Sequence, residues 1–347
     1  MEEPSVMVCS HVVGQTCSRM LIPDGTPLSD DVSAVLAVAW RNEHAASVPA
    51  PGMISLACVG PASTVQVWDC CVDADSLYVC AQTYYGHTDE LTALVWSPDT
   101  TMLASASEDH TVQVWNARTG RTVMLYRGQE CSVRALGWSP DGRWLAIGGD
   151  NNTIQVVNIV EQYATVIYNG HAQGCYGIDA VAWSPDGRYV ASAGDDNRVQ
   201  VWDAFTGQCK VIYEGHLDCW VLAVAWSPDG GWIASGGDDI HVWSVKTGMC
   251  RQIYHKHEYM QHWIDHIDWS PDGCVIASTS TDAVLHIWEV WTGLTLQTQR
   301  HPGNEEACRG LLTNALAWST AIPATLPGER SLVFASCDKT VSLIRLL

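Results

Sequence analysis

Residues 178–203, IDAVAWSPDGRYVASAGDDNRVQVWD, constrain the fold most, because versions of this stretch recur along almost the whole chain. Ile178 to Trp183 and Tyr189 to Ser192 are short, mostly apolar runs with β-branched and aromatic residues. Between them, Ser184-Pro185-Asp186-Gly187 has type I turn chemistry: Pro presets φ at the second position and Gly follows at the fourth. A second turn, Gly194-Asp195-Asp196-Asn197, leads into Val199-Gln200-Val201-Trp202, which alternates apolar and polar residues as a strand does. The unit predicted is strand, tight turn, strand, tight turn, strand.

The Trp that ends the first strand sets a register. It recurs as Trp40, Trp96, Trp138, Trp183, Trp226, Trp269 and Trp318, at intervals of roughly 42 to 56 residues, within or a little beyond the period of propeller blades. Five of the seven copies continue with Ser-Pro-Asp, and four of those five keep the Gly. Copies 1 and 7 carry longer loops instead, Arg41 to Met53 and Ser319 to Arg330. A self-similar array that fills 347 residues without an interior linker predicts one closed repeat domain spanning residues 1–347. Its blades fall at about 33–84, 88–127, 130–169, 172–214, 217–255, 258–299 and 302–347. Residues 5–11, SVMVCSH, align with 210–216, KVIYEGH, a fourth strand leading into the next blade. Since the C-terminus stops after a third strand, Val341 to Arg345, residues 5–10 are expected to complete the last blade and remove an open sheet edge.

Composition narrows the function classes. Met1-Glu2-Glu3-Pro4 has no basic region and no long apolar segment follows, so neither a signal peptide nor a membrane span is expected and the location expected is cytoplasmic. Fourteen cysteines lie at irregular spacing without CxxC pairs, which predicts reduced thiols rather than a disulfide framework. A net charge of -20 argues against nucleic acid and anionic membranes as partners.

With Gly86-His87, Gly170-His171 and Gly215-His216, with Trp68-Asp69 and Trp202-Asp203, and with the seven-fold spacing, the chain resembles the WD-repeat (Trp-Asp) family of seven-bladed β-propellers. Its near-consensus turns are similar to those of bacterial arrays. The resemblance covers nearly the whole chain and implies an all-β fold of four-stranded antiparallel blades, a non-enzymatic scaffold role and no cofactor. It also implies a buried His, Ser, Asp, Trp tetrad in each blade. The matching positions are His87, Ser105, Asp109 and Trp115 in blade 2; His171, Ser192, Asp196 and Trp202 in blade 4; and His257, Ser278, Asp282 and Trp288 in blade 6. Blade 5 offers His216, Ser235, Asp239 and Trp243, with two residues fewer between Asp and Trp than blade 4, so its hairpin is shorter and its geometry altered. Blade 3 has Gln129, Ile147, Asn151 and Val157, so the network there is expected to be lost as a set. Blade 1 (Cys58, Ala62, Trp68) and blade 7 (Phe334, Asp338, Ile344) cannot build it either.

Repeated His, Ser and Asp residues are not a hydrolase triad, which needs one exposed nucleophile in a cleft with an oxyanion site. His255, His257, His262 and His266 lie within twelve residues, yet His257 belongs to its tetrad and the others fall on a strand end, a loop and a channel-lining strand, so no metal is expected. A channel that holds a ligand or metal near His262, His266 and Asp265 is the enzymatic alternative.

Function in such folds resides in loops. The connections between blades and the turns from second to third strand share one face, the top. There Glu108, Asp150, Asp195 and Asp238 precede the tetrad Asp position in four successive blades, forming an acidic arc. Trp220 and Trp263 occupy the same position in neighbouring blades, with Tyr176 one residue further out in blade 4; Asp265 and its counterpart Asp179 begin the channel lining. Aromatic faces beside carboxylates favour Arg or Lys, which predicts a protein or peptide partner presenting cationic groups. The competing surface is the bottom of blades 1 and 7, where residues 41–53, 319–330 and 70–76 would cluster as a structural docking site.

Overall fold

The computed structural model describes residues 35–41, 53–60, 63–71, 78–172, 177–217, 219–255, 257, 263–281, 284–300, 315–318, 330–335 and 341–346. The described strands form seven antiparallel sheets, six of four strands and a last one of three, each in chain order. Among the described residues there is no helix. Sheet 4 is typical, with strands Ile178–Trp183, Tyr189–Gly194, Val199–Asp203 and Cys209–Tyr213. The three-stranded sheet is Ala315–Trp318, Arg330–Ala335 and Val341–Leu346. Residues 5–10, expected to pair with its edge, lie outside the described residues.

First strands of successive sheets pack side by side in chain order, and the first strand of sheet 7 packs against Val35–Arg41, the first strand of sheet 1. The register Trp explains this spacing. Its indole N–H donates to a carbonyl of the preceding sheet's first strand: Trp138 to Val95 (3.1 Å), Trp183 to Gly137 (2.9 Å), Trp226 to Ala182 (3.0 Å), Trp269 to Ala225 (3.2 Å) and Trp318 to Asp268 (3.2 Å). Each acceptor immediately precedes the Trp of its own sheet, so in these five repeats one residue both ends a strand and sets the register against the preceding sheet; the Trp96 indole N–H is buried without an acceptor.

The Ser-Pro-Asp turn is held by more than Pro and Gly. Ser184 Oγ donates to Asp186 Oδ1 (2.6 Å) and accepts from the N–H of Tyr189 (2.8 Å), pinning the start of the second strand. Gly187 lies at φ 70, in the left-handed region that glycine adopts without steric cost. Sheet 2 manages the same bend with Thr100 at φ 55.

Cores lie between sheets rather than within one. Ala146, Ile154 and Val156 of sheet 3 pack with Ile178, Val190 and Trp202 of sheet 4, all six fully buried. Each large side chain so buried stabilises the fold by about 1.5–3 kcal/mol. A tyrosine that ends the fourth strand of sheets 1 to 5 stands at the seam, and in four of them it stacks on the next sheet. Tyr168 stacks on Trp202 of the next sheet, centroids 4.5 Å apart, and its hydroxyl donates to Gln200 Oε1 at 2.6 Å. Tyr84 on Trp115, Tyr213 on Trp243 and Tyr254 on Trp288 repeat the stack. The glycine of Gly-His follows from this clasp: a Cβ at Gly170 would sit 2.2 Å from the Tyr168 hydroxyl.

Candidate functional site

The polar networks of the sheets are internal. In sheet 4, His171 Nε2 meets Ser192 Oγ at 2.8 Å, His171 Nδ1 meets Asp196 at 2.9 Å, and the Trp202 indole donates to Ser192 Oγ at 3.1 Å. Sheet 2 has the His87 contacts to Ser105 (2.8 Å) and Asp109 (2.9 Å), but the Trp115 indole N–H is buried with no acceptor. Sheet 6 joins His257 to Ser278 (3.0 Å) and Trp288 to Ser278 (3.3 Å); Asp282 lies outside the described residues. The serines at these four positions, Ser235 included, are fully buried, so no substrate reaches their hydroxyls.

Sheet 5 departs from the expected tetrad. His216 bonds to Ser235 (2.8 Å) and Trp243 donates to Ser235 (3.2 Å), but Asp239 turns away to His255 Nδ1 at 2.8 Å. The shortened hairpin moves the carboxylate out of reach of His216, whose Nδ1 has instead the Cys219 thiol at 4.0 Å. His216 also lies flat on His241, centroids 4.2 Å apart. Burial, with His241 beside it, pushes His216 down to about 3, so it is neutral. In sheet 3, Ile147 and Val157 join the apolar core as expected. Gln129 stays buried at the histidine position, with both side-chain amide atoms unpartnered.

The three described histidines of the cluster have separate surroundings. His255 pairs with Asp239, His257 with Ser278, and His266 lines the channel, where burial lowers it to about 4. His262 lies outside the described residues. Among the described residues no three His, Cys, Asp or Glu side chains are grouped to hold a metal ion.

On the top face, the turns from second to third strand touch the connections that enter each sheet. Glu108 N donates to Glu90 O (2.9 Å), Asp150 N to Ser132 O (3.1 Å) and Asp195 N to Gly177 O (3.3 Å). Glu108 and Asp238 are exposed, whereas Asp150 and Asp195 are half-buried. Four residues before the register Trp, sheets 2 to 6 carry Thr92, Arg134, Asp179, Leu222 and Asp265, all lining one cavity. Asp265 accepts a bond from the Thr279 hydroxyl at 2.6 Å. Burial and the neighbouring Asp195 raise Asp179 to about 7, against the pull of Arg134.

Arg134 is the functional side chain that the reading of carboxylates missed. Its Nε contacts Asp150 and its Nη1 lies 3.2 Å from Asp179, so two carboxylates of the acidic face share one cation supplied from within. Alignment of the repeats on the register Trp places Arg134 opposite Asp179, the signal that would have found it.

Trp220 and Trp263 come together. Their ring centroids are 5.9 Å apart with planes at 30°, and they remain 43% and 37% exposed. Three backbone bonds fix their segments between hairpin turns. Val221 N donates to Gly194 O (3.3 Å) and Leu222 N to Gly236 O (2.9 Å), which sets Trp220 between the turns that carry Asp195 and Asp238. Ile264 N donates to Gly237 O (2.9 Å), which brings Trp263 to the Asp238 turn from the other side. Tyr176 and the bottom loops 42–52, 72–77 and 319–329 lie outside the described residues.

Sheets stacked through repeated indole and tyrosine contacts, with buried polar networks, define an all-β repeat protein. The chain belongs to the WD-repeat family: the model for the WD domain, G-beta repeat, matches residues 78–116, 120–158, 162–203, 207–244 and 248–289, more than half of the chain. Each match runs from the fourth strand of one sheet through the third strand of the next, so the repeat spans the seam between sheets. No curated protein matches the chain. Domains of this family commonly mediate protein–protein contacts and are generally non-enzymatic scaffolds.

Proposed function

We propose that the chain is a cytoplasmic, non-enzymatic scaffold, a seven-bladed propeller ring whose last blade is completed by residues 5–10. Its top face binds a protein or peptide through Arg or Lys side chains. Seven sheets and the packing of the first strand of sheet 7 beside that of sheet 1 support the ring.

The exposed Trp220–Trp263 pair, clamped among the turns that carry Asp195 and Asp238, is the observation that carries the binding reading. Indoles left accessible beside carboxylates attract a guanidinium or ammonium through cation–π contact and charge-assisted hydrogen bonds together. Contact clusters of this kind, with a central aromatic and a polar rim, dominate the binding energy of protein interfaces. The net charge of -20 draws basic partners in over distance.

The test is binding of an Arg- and Lys-containing peptide library to the wild type and to a folded Trp220→Ala, Trp263→Ala, Asp265→Asn variant, at low and high salt. Specific binders lost in the variant are expected. Equal binding by both proteins, or only weak binding abolished by salt, would overturn the reading.

A further inference from the structure

The top face is acidic, yet it does not offer all of its carboxylates to a partner. Among the described residues that line the cavity, Arg134 is the single Arg or Lys. Sheets 2, 4, 5 and 6 place Thr92, Asp179, Leu222 and Asp265 at the equivalent position. Arg134 reaches sideways along the mouth: Nε to Asp150 in the hairpin turn of its own sheet, and Nη1 to Asp179 on the first strand of sheet 4. Its side chain is 40% exposed, so the guanidinium stands where an incoming cation would otherwise lie.

We propose that Arg134 is a built-in occupant of the acidic mouth, a specificity-determining residue that holds Asp150 and Asp179 and confines a partner's cationic side chain to the Asp195 and Asp238 turns beside Trp220. The proposal rests on the top-face reading above and deepens it. A guanidinium placed between two carboxylates is a counter-ion to both, and it acts at high effective concentration because it belongs to the same chain. A partner presenting one cation therefore has one subsite, at the tryptophan pair. A second cation directed at Asp150 or Asp179 has to displace Arg134 first. The acidic mouth thus discriminates between singly and multiply charged ligands, which net charge alone would not do.

Asp179 is the groove's sensitive member. It faces Arg134 from sheet 3 and Asp195 from its own hairpin turn, and it shares the cavity with Asp265, His266, Thr92 and Leu222. Burial next to Asp195 raises it to about 7, so the experiment is run at pH 8.5, where its carboxyl is ionised.

The probe is a fluorescein-labelled tetra-arginine peptide, read by anisotropy at fixed salt. Arg134→Leu and Arg134→Thr place at this position the residues that sheets 5 and 2 already carry there, and circular dichroism checks the fold of each. Both variants are expected to bind the probe at least tenfold more tightly than the wild type. Adding Asp150→Asn and Asp179→Asn is expected to abolish that gain. In the wild type, Asp150→Asn alone changes the affinity less than twofold, because that carboxylate already has its cation.

An unchanged affinity in both Arg134 variants, or a gain that survives the loss of Asp150 and Asp179, would overturn the proposal; the second result would reduce Arg134 to a term in the net charge. The two readings fail separately. If the wild type binds the probe and loses it in Trp220→Ala, Trp263→Ala while Arg134→Leu changes nothing, only the role of Arg134 falls. If neither the wild type nor the Arg134 variants bind the probe, the cation-binding face falls with it.

Discussion

Asp239 stands 2.8 Å from His255 Nδ1 and makes no bond to His216, the histidine it was expected to serve. The His216–Ser235–Trp243 part of the network stands without a carboxylate, whereas His171 in sheet 4 keeps Asp196 at 2.9 Å on a side chain only 3% exposed. Removing Asp196 leaves a buried imidazole nitrogen and the Ala172 N–H unserved. Asp196→Ala is therefore expected to cost about 2–3 kcal/mol in urea unfolding, and Asp239→Ala under about 1 kcal/mol, since its pairing with half-exposed His255 is a surface interaction. Equal costs would mean that Asp239 serves the core after all.

Gln129 predicts the opposite sign. Its amide is buried with neither atom partnered, in a sheet whose Ile147 and Val157 have made the rest of the position apolar. Gln129→Leu or Gln129→Met is expected to stabilise the protein by about 1–2 kcal/mol, the desolvation of an unpaired polar group. The midpoint of chemical denaturation measures it, and a lower midpoint in both variants contradicts it.

The Tyr168 clasp has two separable parts. Tyr168→Phe removes the hydroxyl bond to Gln200 but keeps the stack on Trp202 and is expected to cost about 1 kcal/mol. Tyr168→Leu also removes the stack, worth about 0.5–1.5 kcal/mol beyond the area it buries. A Phe variant as unstable as the Leu variant would place the whole effect in the hydroxyl.

Asp268 gives a pH-dependent signature. Burial pushes its carboxyl up to about 7, despite the backbone N–H groups of Trp318 and Trp269 directed at it. Between about pH 4 and 7 the folded protein holds a proton that the unfolded chain has released, so this group makes stability fall as pH rises across that window. His266, neutral when buried, acts in the other direction, since acid protonates the unfolded chain first. The difference between Asp268→Asn and the wild type isolates the aspartate. The variant is expected to be more stable by on the order of 3 kcal/mol at pH 8, with the gap closing towards pH 4. A gap that widens in acid would reverse the sign and refute the assignment.

The strands and turns were legible because turn chemistry is local: Ser-Pro-Asp-Gly reads as a bend wherever it stands. The register Trp could be counted from sequence, but not its purpose, because the carbonyl that accepts its indole N–H belongs to another sheet. Arg134 shows the same limit at the site. As one arginine in an acidic chain it carries no signal, and it acquires one only when the repeats are aligned and Asp179 falls beside it. Trp220 and Trp263 were legible as equivalent positions; that their rings meet depends on the seam between sheets 5 and 6. Asp239 was flagged by the two missing residues, but its new partner His255 depends on where the fourth strand ends.

The most direct measurement is photo-crosslinking of an Arg-containing peptide selected from the library, carrying one benzophenone, with adducts mapped by mass spectrometry. Adducts on residues 219–222, 237–239 and 263–265 that disappear in the Trp220→Ala, Trp263→Ala variant are the predicted result. Adducts on the opposite turns, such as Ser184 to Gly187 and Ser227 to Gly230, persisting in that variant, would contradict recognition at the top face.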